Sequence, residues 1–261
     1  MYETLKYEVK DGIATICLNR ADSANAMNPL MAKELNQVSL DVSQDASVRS
    51  VVLTSTGRMF CAGGDLSEFA SAKEGAGRLM MEMAADLHLG LSRLSRNRAP
   101  VIASVNGTAA GAGFSLVMAC DLVVASEGSV FTMAYTNAGL SPDGSSTYFM
   151  PRRIGDRRAR ELMLTNRVLS AEEALDWGIV NKVVHKDDLF GETMKLAEKI
   201  NQGPSLAYEK VKSLLDSSFN QSLETQMELE TRAISEMVMT EDGQEGISAF
   251  LEKRKATFKG R

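Results

Sequence analysis

Two glycine-bearing stretches decide how this chain folds: Phe60-Cys61-Ala62-Gly63-Gly64-Asp65-Leu66 and Asn106-Gly107-Thr108-Ala109-Ala110-Gly111-Ala112-Gly113-Phe114-Ser115. Each follows a short β-rich run, Val48 to Leu53 and Val101 to Val105, and each leads into helix-like sequence. A third β-rich run, Asp121 to Ala125, comes after the second turn. Strand, glycine turn and helix in repetition argue for α/β units joined by right-handed crossovers. Small residues at such turns let a ligand approach the backbone, and a helix N-terminus leaves N–H donors free for a negative oxygen. Glycines that only make tight turns would look the same in isolation. Gly107, Gly111 and Gly113 do not form GxGxxG, and no GK[ST] P-loop occurs. Ser115 is followed by Leu116 and Val117, so the GxSxG nucleophile elbow is absent as well. With those motifs gone, two converging N–H-rich turns point to stabilisation of a carbonyl-derived oxyanion.

Working outward, the start of the chain reads as a hairpin, Tyr7 to Lys10 and Ile13 to Leu18 around Asp11-Gly12. Asn28 is placed to cap a helix that opens on Pro29 and carries Met31, Leu35 and Val38 on one face. Met80, Met83, Ala84, Leu87, Leu91 and Leu94 recur at spacings of three and four, the mark of a packed core face rather than a ligand groove. Beyond Pro151 the spacing predicts helices over Arg157 to Leu164 and Ala171 to Trp177, then a strand over Ile179 to Val184. Helices follow over Leu189 to Ile200, Ser205 to Phe219, Leu223 to Met239 and Glu245 to Lys255, with a boundary at Gly203-Pro204. The expected layout is an α/β core over 1–200 and a helical C-terminal region over 201–261.

The 261 residues suffice for one large domain that buries roughly three quarters of its unfolded surface. Lys+Arg 29 against Asp+Glu 34 gives a net charge of −5, with 44% hydrophobic and 24% charged residues. That balance speaks against broad nucleic-acid binding, yet leaves room for an anionic small ligand at a local positive cluster. Cys17, Cys61 and Cys120 show no CxxC spacing and read as reduced thiols. His88 and His185 are the only histidines, so no metal centre is expected. Mixed charge from Met1 to Glu8 and the lack of any run of ~18 apolar residues predict a cytoplasmic protein with no membrane span.

Six motifs in order give the chain a family likeness. They are Asn19-Arg20 with Ala24-Asn25-Ala26-Met27-Asn28; the first glycine turn; Pro100 to Gly107 running into the second turn; and Gly139-Leu140-Ser141-Pro142-Asp143. Ala171 to Gly178 and Ala249-Phe250-Leu251-Glu252-Lys253-Arg254 complete the set. Together they resemble the crotonase superfamily of enoyl-CoA hydratases and isomerases over essentially the whole chain. The resemblance implies a spiral of ββα units with a helical C-terminal trimerisation region, assembled as a homotrimer or a dimer of trimers. It implies an acyl-coenzyme A thioester as substrate and no further cofactor. The oxyanion-hole N–H groups fall on Gly64 and Ala112, where alanine replaces the family's usual glycine. Coenzyme A contacts fall on backbone around Ala24, Ala26, Ala62, Asp65 and Leu66. Phe250 and Lys253 match residues that reach the nucleotide end from a neighbouring subunit. Lys253, Arg254, Lys255, Lys259 and Arg261 face only Glu252 in that stretch, which suits an anionic phosphate or a solvated tail equally.

Hydratases of the superfamily use two glutamates, and the matching positions here are Ser115 and Tyr135, neither a base near neutral pH. The carboxylate that does appear is Asp143. Its position matches the acidic residue of the ring-opening isomerases of phenylacetyl-CoA degradation, and a carboxylate in an apolar pocket can cycle between base and acid. In the turn Pro142-Asp143-Gly144 it could equally just fix a bend. The expectation is an acyl-CoA isomerase acting through Asp143. Three alternatives stand beside it: a 4-chlorobenzoyl-CoA dehalogenase-like hydrolase using Asp143 and His88, an enoyl-CoA hydratase, and a non-catalytic acyl-CoA binder.

Overall fold

The computed structural model describes residues 2–261. Asp11 and Gly12 both take the left-handed backbone (φ 51° and 80°) that a two-residue hairpin turn needs, and join β1 (Leu5–Lys10) to β2 (Ile13–Leu18) as an antiparallel pair. Asn28 accepts the Met31 N–H at 2.9 Å, with Pro29 first in α1 (Pro29–Gln44), as the capping pattern predicts. The chain continues through β3 (Ser50–Ser55), α2 (Leu66–Ala72), α3 (Ala76–Arg96), β4 (Val101–Val105), β5 (Ala109–Ala110) and α4 (Ala112–Ala119). β6 (Leu122–Ser126), β7 (Val130–Thr132), α5 (Ser146–Ile154), α6 (Asp156–Thr165), β8 (Leu169–Ser170), α7 (Ala171–Asp176) and β9 (Lys182–Val184) follow. The chain then runs through α8 (Leu189–Asn201), α9 (Ser205–Ser218), α10 (Leu223–Val238) and α11 (Glu241–Leu251).

Six strands form one sheet in the order β1-β2-β3-β4-β6-β9, parallel throughout except for the hairpin. A second row lies beside it: β5-β7-β8 form a small sheet, extended by single bridges between Cys61 and Ala109 and between Met27 and Gly64. Each turn of chain therefore gives one strand to the long sheet, a shorter piece to the second row, and then a helix. That is the ββα spiral the resemblance implies.

The long sheet is covered on both faces. Val51, Leu53, Val101, Ala103, Val105 and Val123 pack into the main core with α1, α3 and α4, while Val52, Ile102 and Val124 alternate onto the other face against Leu189, Ala197 and Ile200 of α8. Period-two side-chain alternation on strands buried on both faces explains their nearly unbroken apolar runs. No helix among the described residues is long and apolar enough to cross a membrane.

Three expectations are corrected. β9 starts at Lys182 rather than Ile179, because the Ile179 and Val180 N–H groups both donate to Ala174 O and hold those residues in the turn after α7. α11 starts at Glu241 rather than Glu245, because Thr240 Oγ1 accepts the Gly243 N–H at 3.0 Å and caps it early; it ends at Leu251, before Lys253 turns to φ 56°. α5 was not expected around Pro151, which reads as a breaker. Pro151 forfeits one hydrogen bond there, and burial of Met150 and Ile154 holds the helix regardless.

Candidate active site

The two glycine turns lie against each other. Ala110 N–H donates to Cys61 O (2.9 Å) and Cys61 N–H to Thr108 O (3.1 Å). A side chain at Gly113 would bring its Cβ within 2.4 Å of Cys61 O, so only glycine allows this approach. Gly111, at φ 51° and ψ −123°, turns the backbone so that α4 starts at Ala112. The first N–H groups of a helix have no intrahelical acceptor, and Ala112 N–H is one of them. Gly64 sits between anchored neighbours: Met27 N–H donates to Gly63 O (2.7 Å) and Asp65 N–H to Met27 O (2.8 Å). Gly64 and Ala112 line one cavity of about 290 Å³, with Tyr135 and Asp143 across from them. Cys61, beneath the turn and fully buried, has its thiol pushed up to about 11 by burial, so it is no nucleophile at neutral pH.

Asp143 is the one carboxylate lining that cavity among the described residues. Its Oδ1 accepts the Tyr135 hydroxyl at 2.7 Å, and its backbone oxygen accepts Ser146 N–H (3.2 Å) and Ser146 Oγ (2.8 Å). Ser115 Oγ lies 3.0 Å from both the Asp143 carbonyl and the Tyr135 hydroxyl. Tyr135 has a single proton, which an ionised Asp143 takes, so the phenol oxygen can only accept from Ser115. Burial first, and then the Asp143 charge, hold the Tyr135 phenol well above its ordinary range, so it stays a donor. On its other side Asp143 Oδ2 stands 3.8 Å from His88 Nε2, which accepts the Gly144 N–H at 3.1 Å.

The coenzyme A candidates form a second group at the cavity's rim. Ala62 N–H donates to Ala24 O (3.1 Å), and the Arg20 guanidinium reaches Ala26 O and Asp65 Oδ2. Asp65 also caps α2 by accepting the Ser67 N–H; the Ser67 hydroxyl first, and then Arg20, keep its carboxyl below the usual range. Ala62 and Leu66 line the cavity itself. Phe250 and Lys253 do not join them. Phe250, 82% exposed, lines an apolar groove with Met237 and Phe258. The basic tail carries less free charge than its sequence implies, because Arg254 pairs with Glu245 and Glu252 while Arg261 pairs with Glu241.

Chemically, the cavity is lined by one carboxylate, one phenol and the Ser141 hydroxyl among mostly apolar residues, with Gly64 and Ala112 on its wall. No group of three or more His, Cys, Asp and Glu side chains among the described residues is arranged to hold a metal. A family model described as "Enoyl-CoA hydratase/isomerase" matches residues 8–261. The chain belongs to the enoyl-CoA hydratase/isomerase family.

Its relatives within that family bear different names. A Rhodobacter capsulatus protein named "Probable enoyl-CoA hydratase" is 36% identical, aligned over 100% of this chain and 99% of its own length. The Escherichia coli K12 protein named "1,2-epoxyphenylacetyl-CoA isomerase" is 35% identical over the full length of both chains. The crystal structure of an enoyl-CoA hydratase from Polaromonas sp. JS666 superposes with a TM-score of 0.93 at 32% identity, covering 98% of this chain and 99% of that one.

One feature of this family member's site escapes the sequence reading, and another, the nearness of His88 to Asp143, is reached there only through the dehalogenase resemblance. The stripe on α3 is only partly core: Leu91 and Leu94 are buried, but Met80, Met83, Ala84 and Leu87 also line the cavity. Met81, outside the stripe and 75% exposed, joins them. That off-pattern apolar residue is the signal that could have revealed a ligand wall. The approach of His88 to Asp143 spans 55 residues of sequence and leaves no local pattern at all.

Proposed function

We propose that this protein is an acyl-CoA isomerase, which shifts a double bond or opens an epoxide-derived ring beside a thioester. The observation that carries this reading is the composition of the cavity. Where the resemblance places a hydratase's two glutamates stand Ser115 and Tyr135, hydrogen-bonded to each other, and the lone carboxylate is Asp143. Proton removal beside a thioester leaves charge on the carbonyl oxygen, which the Gly64 and Ala112 N–H groups receive. Such a donor is worth roughly 2.7–4 kcal/mol. Tyr135 holds Oδ1, so Oδ2 takes the proton from one carbon and returns it to another. The name of the Escherichia coli relative supports this chemistry.

A dehalogenase-type reaction would need an imidazole serving a water at the acyl group. His88 lies beyond Asp143, lining a different cavity. The assembly is a trimer or a dimer of trimers, with Phe250 and Lys253 reaching a neighbour's ligand.

The test is Asp143→Asn assayed on 3-hexenoyl-CoA. Isomerisation falls at least ~100-fold, the usual loss for a general base, while acyl-CoA affinity changes little. Wild-type hydration of crotonyl-CoA stays far below a typical turnover of ~10 per second. Unimpaired isomerisation by the variant, or hydration at that rate, overturns the reading.

A further inference from the structure

Asp143 lines one cavity and stands 3.8 Å from His88, which lines another. The first, already described, takes in Leu87 and Asp143. The second, of about 550 Å³, is lined by His88, Arg96, Ser145, Glu209, Lys212 and Asp216. Consecutive residues of α3 thus face different spaces, Leu87 the acyl side and His88 the polar side. The His88 side chain is 48% exposed, and Asp143 is 26% exposed. An acyl group seated in the first cavity covers Asp143 from that side and shuts out the water there. What remains open to the carboxyl is the approach through His88.

We propose that His88 is a proton port, acting through Asp143, by which the proton removed from substrate exchanges with solvent while the acyl group is still bound. The inference rests on Asp143 being the base. Gly144 N–H donates to Nε2, so the neutral ring carries its proton on Nδ1, and the single Nε2 lone pair becomes free for the Oδ2 proton when the ring turns from Gly144 towards Asp143. Asp143, protonated by substrate, passes the Oδ2 proton to Nε2; the resulting imidazolium releases its Nδ1 proton to water in the second cavity. The reverse sequence returns a solvent proton to Oδ2, and from there to the second carbon. Charge and protons balance, and no other reactant is needed. The 3.8 Å gap exceeds hydrogen-bond reach, so the transfer takes a ring rotation that opens the Gly144 bond and brings Nε2 to Oδ2, directly or through one water.

The port is read in D2O with unlabelled 3-hexenoyl-CoA as probe, by the deuterium content of the product at low conversion. A parallel sample follows α-hydrogen exchange in saturated hexanoyl-CoA. Wild-type protein washes deuterium into both. His88→Gln keeps an acceptor for Gly144 N–H but cannot relay a proton, so deuterium per product molecule falls at least about threefold. Because the ratio is read within product molecules, a loss of folded protein does not alter it. Equal deuterium content in wild type and His88→Gln overturns the port. So does isomerisation by wild type without wash-in, which leaves the base assignment standing. Wash-in to hexanoyl-CoA that His88→Gln loses, without isomerisation of 3-hexenoyl-CoA by either protein, supports the port and removes the isomerase reading instead.

Discussion

The spiral and the last three helices treat their apolar residues in opposite ways. In the spiral, Phe60, Phe114 and Phe131 are wholly buried, and Phe114 and Phe131 pack ring to ring at 5.4 Å. On α10 and α11, Leu223, Ile234, Phe250 and Leu251 each stand more than 70% exposed. The spiral closes its core within one chain, whereas the helices leave large apolar side chains on the surface. Stability is held in the first region, and the proposed association would draw on the second.

The sharpest way to break that contrast is to damage each side in turn. Phe114→Ala opens the core and costs about 3–5 kcal/mol, seen as a large drop in the urea midpoint. A loss under ~1 kcal/mol would mean the spiral leans on its neighbours for stability. Ile234→Glu acts the other way. As a surface change it alters single-chain stability by no more than ~0.5 kcal/mol, but it places a charge on the apolar face. Light scattering at micromolar concentration then gives a multimeric mass for wild type and a smaller one for the variant. A wild-type monomer would remove the assembly and the role of Phe250 and Lys253 with it.

The smallest effect sits where the two regions meet. Arg49, just before β3, donates to Ser205 Oγ and to the carbonyls of Gly203 and Phe258, and Asp242 accepts the Lys259 and Gly260 N–H groups. Glu245 completes this clasp. Its bonds to Arg254, and then to Thr257 N–H, push its carboxyl down to about 2. A carboxyl lowered by folding contributes above its unfolded value of ~4.3 and is lost only as pH falls towards the folded one. The Thr257 amide resonance should therefore hold its position from pH 7 to about 3.5 and move only as pH falls towards 2, a step that Glu245→Gln abolishes. A step near pH ~4.3 in wild type would show that the clasp is open.

The strands of the long sheet, the hairpin and the α1 cap were legible because each is written in neighbouring residues: a two-residue turn, an Asn-Pro start, an apolar run; the two- and three-residue strands β5, β7 and β8 carry no such run. The Thr240 cap was equally local, but Glu245 onward resembled a helix start more strongly. Gly64, Ala112, Tyr135 and Asp143 were singled out by likeness to a family, and the structure brings all four to one cavity. Position alone could not give the orientation of Asp143, because one oxygen is held by Tyr135 eight residues earlier and the other is approached by His88 from α3, a distant turn of the spiral. Met81 was missed because a helical period shows what a helix buries in its own chain and is silent about a ligand.

α8 gives the fold a direction in time. It covers Ile13, Val52 and Ile102, residues made long before it, so the far face of the sheet stays bare until about residue 200 has been synthesised. At ribosomal speeds of ~5–20 residues per second, the first strands wait roughly ten seconds or more for that cover. The polar outer edge that β1 lends the sheet matters most in that interval, when Lys6, Glu8 and Lys10 discourage a stray strand from joining it. Chains truncated before Leu189 should therefore depend on chaperones far more than their share of the final core implies.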